Sequence, residues 1–168
     1  SANTLVDEDL LVFMTEDTVT PANKEVKQIK ASDLGLAQAT VTVSASNLNS
    51  LSQTVSKTLL PAPGADKYIK ITDISYYFVA GSTSYNYNKA LAASTDIGDT
   101  NYTAFEISNT ILNLASGNEA VASSQVESCL IFVNTALQLY APSGSTSAAG
   151  DGTLEIKITY QILDSKNF

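Results

Sequence analysis

Alternating apolar and polar residues predict a chain built mainly from short antiparallel strands. The alternation is cleanest at residues 154–162, where every second residue is apolar and the residues between them are polar or charged. Residues 68–80 alternate as well, but the pattern slips by one position at Thr72 and Asp73, which predicts a β-bulge. Further strand signals lie at residues 40–45, 55–60, 102–107, 111–114 and 130–140.

Turn residues separate these segments and indicate the fold class. Small and polar residues predict connecting turns at 47–50, 81–88, 116–119 and 143–152. The best helix candidate, residues 119–128, has a poor helical periodicity. Short strands between such turns are typical of an all-β fold, and we predict an antiparallel, jelly-roll-like β-sandwich.

The beginning of the chain differs from the rest and predicts a separate unit. An apolar run at residues 10–14 and an alternating run at 26–30 flank a turn that contains Pro21. Such a strand–loop–strand unit is marginal alone, so it must dock on the main domain or on a partner. The predicted division is this unit at 1–34, a linker with the first strands at 35–66, and the main sandwich at 67–168, with its first strand near residue 40.

The apolar residues of this N-terminal unit are the predicted attachment or clasp residues. The run at 10–14 is too short to be a domain and too apolar to remain exposed. Seven of the 17 acidic residues also lie in the first 34 positions, and charge of this kind is more often solvated than paired. The predicted interface residues are Leu10, Leu11, Val12, Phe13, Val26, Ile29 and Leu34.

The residue types that the chain lacks exclude most catalytic and metal sites. There is no His and no Arg, and the single Cys, Cys129, is expected to be a buried hydrophobic residue. Without His, neither a Ser-His-Asp nor a Cys-His nucleophile can form, and imidazole-based metal sites are excluded. A pair of carboxylates could still hydrolyse a glycoside. We nevertheless expect no enzyme, no cofactor and no metal.

The charge balance narrows the possible partners. A net charge of −8 and a pI near 4.3 argue against nucleic acid and anionic membranes. We also expect no signal peptide, because no basic start precedes a long apolar run, and no stretch is long enough to span a bilayer. Ser, Thr and Asn supply 50 of the 168 residues, whereas charged residues make up 15%. A structural or binding protein remains.

One polar segment could hold a cation. Asp96, Asp99 and Asn101 could present oxygen ligands to Ca²⁺, but Asp and Asn are also ordinary turn residues. Asp151, in a Gly-Asp-Gly turn, is expected to be a hairpin residue rather than a ligand.

Three tyrosines are candidate surface contacts. Tyr85 and Tyr87 lie in a predicted turn, and Tyr102 begins a predicted strand. Tyrosine is favoured at interfaces because it offers a large apolar ring with a polar tip. The alternative for each ring is burial in the core.

Four stretches of the main domain occur in a recognisable order. Residues 59–69 read LLPAPGADKYI, residues 85–88 read YNYN, residues 134–139 read NTALQL, and residues 150–160 read GDGTLEIKITY. This order resembles a broad class of tailed-bacteriophage virion proteins, in which APGAGK begins a strand and GDGTL starts the last strand. Here Asp66 replaces the second Gly of that first motif.

The N-terminal unit resembles a small element of phage decoration and fibre proteins. Residues 9–12 read DLLV and residues 29–34 read IKASDL, which match the two motifs that flank a short turn in that element. The resemblance implies assembly on a particle through the major capsid protein or another virion protein, often as a homotrimer, without catalysis.

We therefore predict a bacteriophage virion structural protein. The resemblance favours a capsid decoration or head fibre protein that is located in the virion and attached through its N-terminal segment. One alternative is a receptor-binding module, of tail-fibre or lectin-like type, that works through loops 81–88, 94–103 and 143–152. A cellular adhesin or pilin-like domain is a further alternative, against which the expected lack of a signal peptide argues.

Overall fold

The chain divides into two compact units, Ser1–Ala37 and Gln38–Phe168. The structure, a computed structural model, describes residues 12–14, 26–28, 35–97, 103–124, 126 and 133–167. In the first unit, strands β1 (Val12–Met14) and β2 (Val26–Gln28) pair antiparallel, with Phe13 opposite Lys27. The predicted strand–loop–strand arrangement is therefore confirmed.

The remaining described strands form two four-stranded sheets. The first sheet has the order β3-β10-β5-β8 and the second has the order β4-β9-β6-β7. The strands are β3 (Leu36–Val43), β4 (Lys57–Leu60), β5 (Lys67–Val79), β6 (Leu91–Ser94), β7 (Thr103–Ile107), β8 (Glu119–Ser123), β9 (Leu137–Tyr140) and β10 (Thr153–Asp164). The helices are α1 (Ala45–Ser50) and α2 (Asn109–Leu112), and a 3₁₀ turn covers Ser165–Asn167.

The connections between these strands give the topology of a jelly roll. Every connection from β3 to β10 crosses from one sheet to the other, except the one that joins the neighbours β6 and β7. The first strand of the sandwich, β3, lies beside the last, β10. This double-sheet arrangement of eight strands confirms the predicted all-β sandwich.

The long pair β5–β10 contains the predicted bulge. Thr159 lies opposite Asp73, and the next residue, Tyr160, lies opposite Ile71, so Thr72 is the extra residue of β5. The Thr72 hydroxyl donates a hydrogen bond to the Thr159 carbonyl oxygen at 3.0 Å. Without the extra residue, the apolar side chains on one side of it would point to solvent, because side chains alternate between the two faces of a sheet.

The core fills the space between the inner faces of the two sheets. Leu154, Ile156 and Ile158 of β10 are fully buried, as are Phe105 of β7 and Leu139 of β9. Burial of the predicted inward face of β10 decreases towards the end of the strand, where Tyr160 is half-buried and Ile162 is 48% exposed.

Three local predictions from the sequence were wrong. Residues 119–123 form strand β8, where Ala120 and Ala122 pack on the core between exposed neighbours. Residues 109–112 form helix α2 rather than a strand, and the Ser108 hydroxyl caps it by accepting from the Thr110 N–H. Residues 45–50 form helix α1 rather than a turn, and the Ser44 hydroxyl caps it in the same way.

The sandwich has two different ends. Strands β5 and β10 are antiparallel, so the last residue of β5, Val79, pairs with the first residue of β10, Thr153. Segment 81–89 follows β5 and segment 143–152 precedes β10, so both lie at the same end of the sandwich, here called the loop end. Strand β3 runs towards this end, since its Gln38 contacts Thr159 within β10, whereas Asn49 of α1 contacts Gly150. The chain therefore enters the sandwich at the opposite end, about 25 Å away for an eight-residue strand.

Replacement of a core side chain by Ala should lower the free energy of unfolding of the sandwich far more than replacement of a surface side chain. Ile156→Ala should lower the free energy of unfolding by about 2–5 kcal/mol, because it removes a fully buried side chain from the central strand pair. Val121→Ala, at a side chain that is 74% exposed, should change it by less than about 0.5 kcal/mol. Urea titration followed by circular dichroism measures both, and equal effects would contradict this assignment of the core.

Candidate functional site

The predicted attachment residues fall partly within the described part of the chain. Val12 and Phe13 lie in β1, and Val26 lies in β2, so the three residues belong to one small antiparallel sheet. Val26 pairs with Met14 rather than with Val12 or Phe13. The other predicted attachment residues, Leu10, Leu11, Ile29 and Leu34, lie outside the described residues.

The prediction that Tyr85 and Tyr87 are surface contacts was wrong. Their side chains are 0% and 3% exposed, respectively, and both belong to the hydrophobic core. The two rings stack on each other with centroids 5.8 Å apart, and Phe78 packs against Tyr85 at 6.2 Å. Asn86 lies between them with a φ of 52°, so the backbone turns tightly and both neighbouring rings enter the core. Tyr102 lies outside the described residues.

Tyr85 fixes segment 143–152 against the sandwich. Its hydroxyl donates to the Gly152 carbonyl oxygen at 2.6 Å, and its own carbonyl oxygen accepts from the Ala148 N–H at 2.5 Å. A Cβ at Gly150 would lie 2.7 Å from the Tyr85 ring, closer than two carbon atoms can approach. Glycine is therefore required at position 150 because the backbone there lies directly on the ring.

Tyr87 connects the same loop to both helices. Its hydroxyl donates to the Leu48 carbonyl oxygen of α1 at 2.5 Å. Asn113, which follows α2, accepts from the Tyr87 N–H at 2.6 Å and donates to the Tyr87 carbonyl oxygen at 2.7 Å. Asn109 of α2 donates to the same carbonyl oxygen at 3.1 Å. The backbone polar groups of Tyr87 are thus satisfied although the residue is buried.

Reciprocal hydrogen bonds of two asparagines join segment 143–152 to α1 and to segment 81–89. The Asn49 carboxamide donates to the Gly150 carbonyl oxygen at 2.9 Å and accepts from the Gly150 N–H at 3.0 Å. Asn88 accepts from the Thr146 N–H at 2.7 Å, while its own N–H donates to the Thr146 carbonyl oxygen at 3.1 Å. Each pair mimics the bonding of a strand pair, so the loops are held without regular secondary structure.

The prediction that Asp151 is a hairpin residue was wrong, because β9 and β10 on either side of its loop belong to different sheets. Asp151 is instead a structural residue of the loop end. Its carboxylate accepts from the Ser82 hydroxyl at 2.6 Å and from the Thr83 N–H at 2.7 Å. These two hydrogen bonds favour the ionised form and hold the pKa of Asp151 below its usual value. A Cβ at Gly81 would lie 2.1 Å from the Asp151 carboxylate, so the two loops approach closely here as well.

Burial raises the pKa of both loop tyrosines. Removal from water is the main cause for Tyr85, whose pKa rises to about 12, and the neighbouring Tyr87 and Asp151 add to it. Burial likewise raises the pKa of Tyr87, although a hydrogen bond with Ser147 opposes the shift. Both hydroxyls are therefore neutral hydrogen-bond donors at pH 7, in keeping with their structural role.

The surface of the loop end is polar and carries one exposed cation, Lys89, and one exposed carboxylate, Asp151. Ser82, Thr83, Asn86 and Thr146 are exposed there. The nearby Lys89 donates from Nζ to the Ser143 carbonyl oxygen at 2.8 Å. The exposed hydroxyl and amide groups can donate hydrogen bonds to a ligand and accept them from it, and the backbone that carries these groups is held in place. Sequence reasoning missed the asparagines at 49, 88, 109 and 113 that hold it, because Asn is common in any turn.

The predicted calcium segment is described only at its start. Asp96 is exposed, and its backbone N–H donates to the Ser94 hydroxyl at 2.9 Å. Asp99, Asn101 and Cys129 lie outside the described residues. Within the part of the chain that the structure describes, no three His, Cys, Asp or Glu side chains come together as metal ligands. The described helices are all too short or too polar to cross a membrane.

Replacement of Gly150 should destabilise the loop end. Gly150→Ala should lower the free energy of unfolding by about 1–3 kcal/mol, because the added methyl group overlaps the buried Tyr85 ring. Ala149→Ser is the matched control at an exposed neighbour and should change stability by less than about 0.5 kcal/mol. Thermal and urea unfolding measure the difference, and a neutral Gly150→Ala would contradict the close contact with Tyr85.

Stability should fall at high pH because of Tyr85. The folded state holds the phenolic proton up to a pKa of about 12, whereas the unfolded chain releases it near 10, so stability is full below pH 10 and decreases between pH 10 and 12. Tyr85→Phe should be less stable at pH 8 by about 1 kcal/mol, since one hydrogen bond is lost. The variant should also lose less stability between pH 9.5 and pH 11.5 than the parent.

Urea titrations at these pH values test this prediction, and Tyr160→Phe, at a half-buried ring of β10, is the control. An identical pH dependence of the parent and Tyr85→Phe would contradict the buried, neutral state of Tyr85.

Comparisons with known proteins identify no family. No protein-family model and no curated protein matches the chain. Among solved structures, a chain described as "Cyanophage Pam1 capsid asymmetric unit" is similar with a TM-score of 0.41 and 15% identity, over 74% of this chain and 81% of that chain. A TM-score at this level does not establish a shared fold, so function is argued below from the residues of this chain.

Proposed function

We propose that the protein is a structural component of a bacteriophage particle, most specifically a capsid decoration or head fibre protein. In this proposal, the N-terminal unit binds a virion protein and the jelly-roll sandwich projects from the particle. The proposal joins the resemblance of residues 9–12, 29–34 and 150–160 to phage virion motifs with the organisation of the folded chain.

The division into two units is the observation that carries this proposal. All the buried core residues that the structure describes lie between Val43 and Ile158, and all of them belong to the second unit. Strands β1 and β2 form a separate two-stranded sheet of three residues each. A sheet of this size is marginal alone, and a binding partner that it covers or extends would stabilise it.

The difference between the two ends of the sandwich supports an outward-facing role. The chain enters at one end of β3, and the loop end lies at the other, held by the stacked tyrosines and the asparagine pairs. In the proposed attachment, the loop end faces solvent. A surface made mainly of hydroxyl and amide groups, with Lys89 and Asp151 of opposite charge, suits this position because it stays hydrated without strong attraction to charged partners.

We further propose that the protein has no catalytic activity. The chain contains no His to serve as a general base for Ser or Cys. At the loop end, the tyrosine hydroxyls and the Asp151 carboxylate are all engaged in bonds that hold the backbone. Attachment of a structural protein rests on burial of apolar surface at an interface, and this needs no cofactor.

The proposed partner is the major capsid protein or another virion protein, and the proposed assembly is a homotrimer. The trimer comes from the resemblance to phage decoration and fibre proteins. A closed trimer of this chain would have a mass of about 53 kDa, three times the 17.7 kDa of one chain.

Receptor binding is a second candidate function, favoured by the position of the loop end. Jelly rolls serve both as viral capsid domains and as lectin domains, so the fold alone does not choose between them. Loops 81–89 and 143–152 lie together at the end away from the chain entry, where a host receptor could reach them. Tyr85 and Tyr87 are unsuitable for testing this function, because their replacement would disturb the core.

Deletion of residues 1–34 should abolish binding to the particle and leave the sandwich folded. The test uses virions of the phage that encodes the chain, prepared from a strain with this gene deleted, and measures co-sedimentation of added full-length or 35–168 protein. Full-length Phe13→Asp should bind at least tenfold more weakly, because a charge in β1 opposes burial of that strand. Val121→Asp, at an exposed position of the sandwich, should bind normally.

Circular dichroism and thermal unfolding establish that the truncated protein is folded. Binding of the 35–168 protein at full occupancy, or failure of the full-length protein to bind, would contradict the proposed attachment. Light scattering on both proteins distinguishes the two roles of the N-terminal unit: a trimer that survives truncation makes this unit the anchor, and a trimer that is lost makes it the clasp. A full-length monomer would contradict the proposed trimer.

A further inference from the structure

A cleft opens on the side of the sandwich where the edge strands of the two sheets face each other. Strand β8 is the last strand of the first sheet and β7 is the last strand of the second. The Ser124 hydroxyl, just after β8, donates to the Glu106 carbonyl oxygen of β7, which joins the two edges. The cleft has a volume of about 520 Å³, within the range of small-molecule sites. Its described lining residues are Tyr76, Ala90, Glu106, Ser108, Asn109, Ser123 and Ser124.

The lining combines hydroxyl, amide and carboxylate groups with a small apolar surface. Glu106 and Ser123 are exposed, so their side chains are free to reach a ligand from opposite edges of the cleft. The Asn109 carboxamide is oriented by its bond to the Tyr87 carbonyl oxygen. Half-buried Ala90 and the small exposed part of Tyr76, a core residue that is 5% exposed, add a limited apolar surface. Such a lining matches a ligand that is polar along its edges and apolar on its faces.

The charge of the lining restricts the class of ligand. Glu106 is the single charged residue among the described lining residues, and the chain as a whole carries −8. An anionic ligand would be repelled by the carboxylate and would find no cation among these residues. A divalent cation needs six or more oxygen ligands and usually more than one carboxylate. A neutral ligand with several hydroxyl groups fits, because each hydroxyl can donate to Glu106 or accept from Ser123.

We propose that this cleft binds a neutral saccharide. Sugar hydroxyls would bond to Glu106, Asn109 and Ser123, and the carbon–hydrogen face of the ring would lie against Tyr76 and Ala90. This inference concerns a binding site on the side of the sandwich and does not depend on attachment through residues 1–34.

The position of the cleft favours binding because its walls are already ordered. Ala90 directly follows the loop that Tyr85 and Tyr87 anchor, and Asn109 is tied to Tyr87 itself. A ligand therefore does not have to order these groups, which lowers the entropic cost of binding. The cleft also adjoins the loop end, because Asn109 in its lining is bonded to Tyr87.

The experiment measures binding of defined sugars to the full-length protein. The probes are the methyl glycosides of glucose, galactose, mannose and N-acetylglucosamine, with glucuronic acid as an anionic comparison, followed by saturation-transfer NMR and titration of backbone amide shifts. At least one neutral glycoside should bind and shift the amides of Glu106, Asn109 and Ser123, and glucuronic acid should bind at least tenfold more weakly.

Two variants and their matched controls locate the site. Glu106→Ala and Ser123→Trp should each weaken binding at least tenfold, the first by removing the carboxylate and the second by filling the cleft. Glu155→Ala removes an exposed acid on β10, and Val121→Trp adds a ring two residues away on β8, so both should bind as the parent does. Thermal unfolding confirms that all four variants fold.

Three results would overturn the inference: no binding of any neutral glycoside at 20 mM sugar, undiminished binding by both Glu106→Ala and Ser123→Trp, or tighter binding of glucuronic acid than of its neutral counterparts. None of them bears on co-sedimentation with virions, so failure of this inference is distinguishable from failure of the proposed attachment.

Discussion

The stacked pair of buried tyrosines organises the loop end of the sandwich, on which the receptor-binding candidate and the wall of the adjoining cleft depend. Tyr85 and Tyr87 extend from one loop into the core, and their hydroxyls bond to main-chain oxygens in two other parts of the chain, at Gly152 and Leu48. A loop would ordinarily leave many polar groups to water and remain mobile. Here the rings supply apolar burial and their hydroxyls supply specific bonds, so three segments far apart in the sequence are held as one rigid surface. The glycines at 150 and 152 are needed because the backbone passes against these rings and Phe78.

The asparagines complete this arrangement in a way that few other residues could. A carboxamide both donates and accepts, so that of Asn49 can replace the paired backbone bonds that a neighbouring strand would provide. The Asn88 carboxamide accepts from the Thr146 N–H and donates to the Gly144 carbonyl oxygen. This explains how a chain with few charged residues can hold long loops without ion pairs. The described salt bridge between Lys166 and Asp66 is exposed, lies near the opposite end of the sandwich, and contributes little. Hydrogen bonds between uncharged polar groups therefore hold the loops in order, and hydroxyl and amide groups also line the cleft beside Glu106.

The two units of the chain have different physical requirements. The sandwich encloses its own core, and the bulge at Thr72 keeps both halves of β5 facing that core. The described strands of the N-terminal unit have three residues each, and a two-stranded sheet of that size is marginal alone. Under the proposed function, folding and attachment belong to different units, so the protein could be presented on a larger assembly without a change in the fold of its sandwich. The proposed virion role uses the N-terminal unit, whereas the proposed saccharide site lies on the side of the sandwich.

Apart from β6, which no strand signal predicted, and β8, which was predicted as a helix, the amino-acid sequence by itself determined the strands of the sandwich, the bulge and the strand–loop–strand unit. These features follow from local periodicity and composition, which report how neighbouring residues alternate between two faces. Tertiary structure decided the rest. Residues 119–123 became a strand because β5 offers them a pairing edge, and 109–112 became a helix because Ser108 caps it and Ile111 and Leu112 turn to the core. The burial of Tyr85 depends on Gly152, 67 positions further along the chain, and the cleft depends on two edge strands from different sheets. No local pattern encodes such contacts, because whether a side chain is covered depends on which distant segment packs over it.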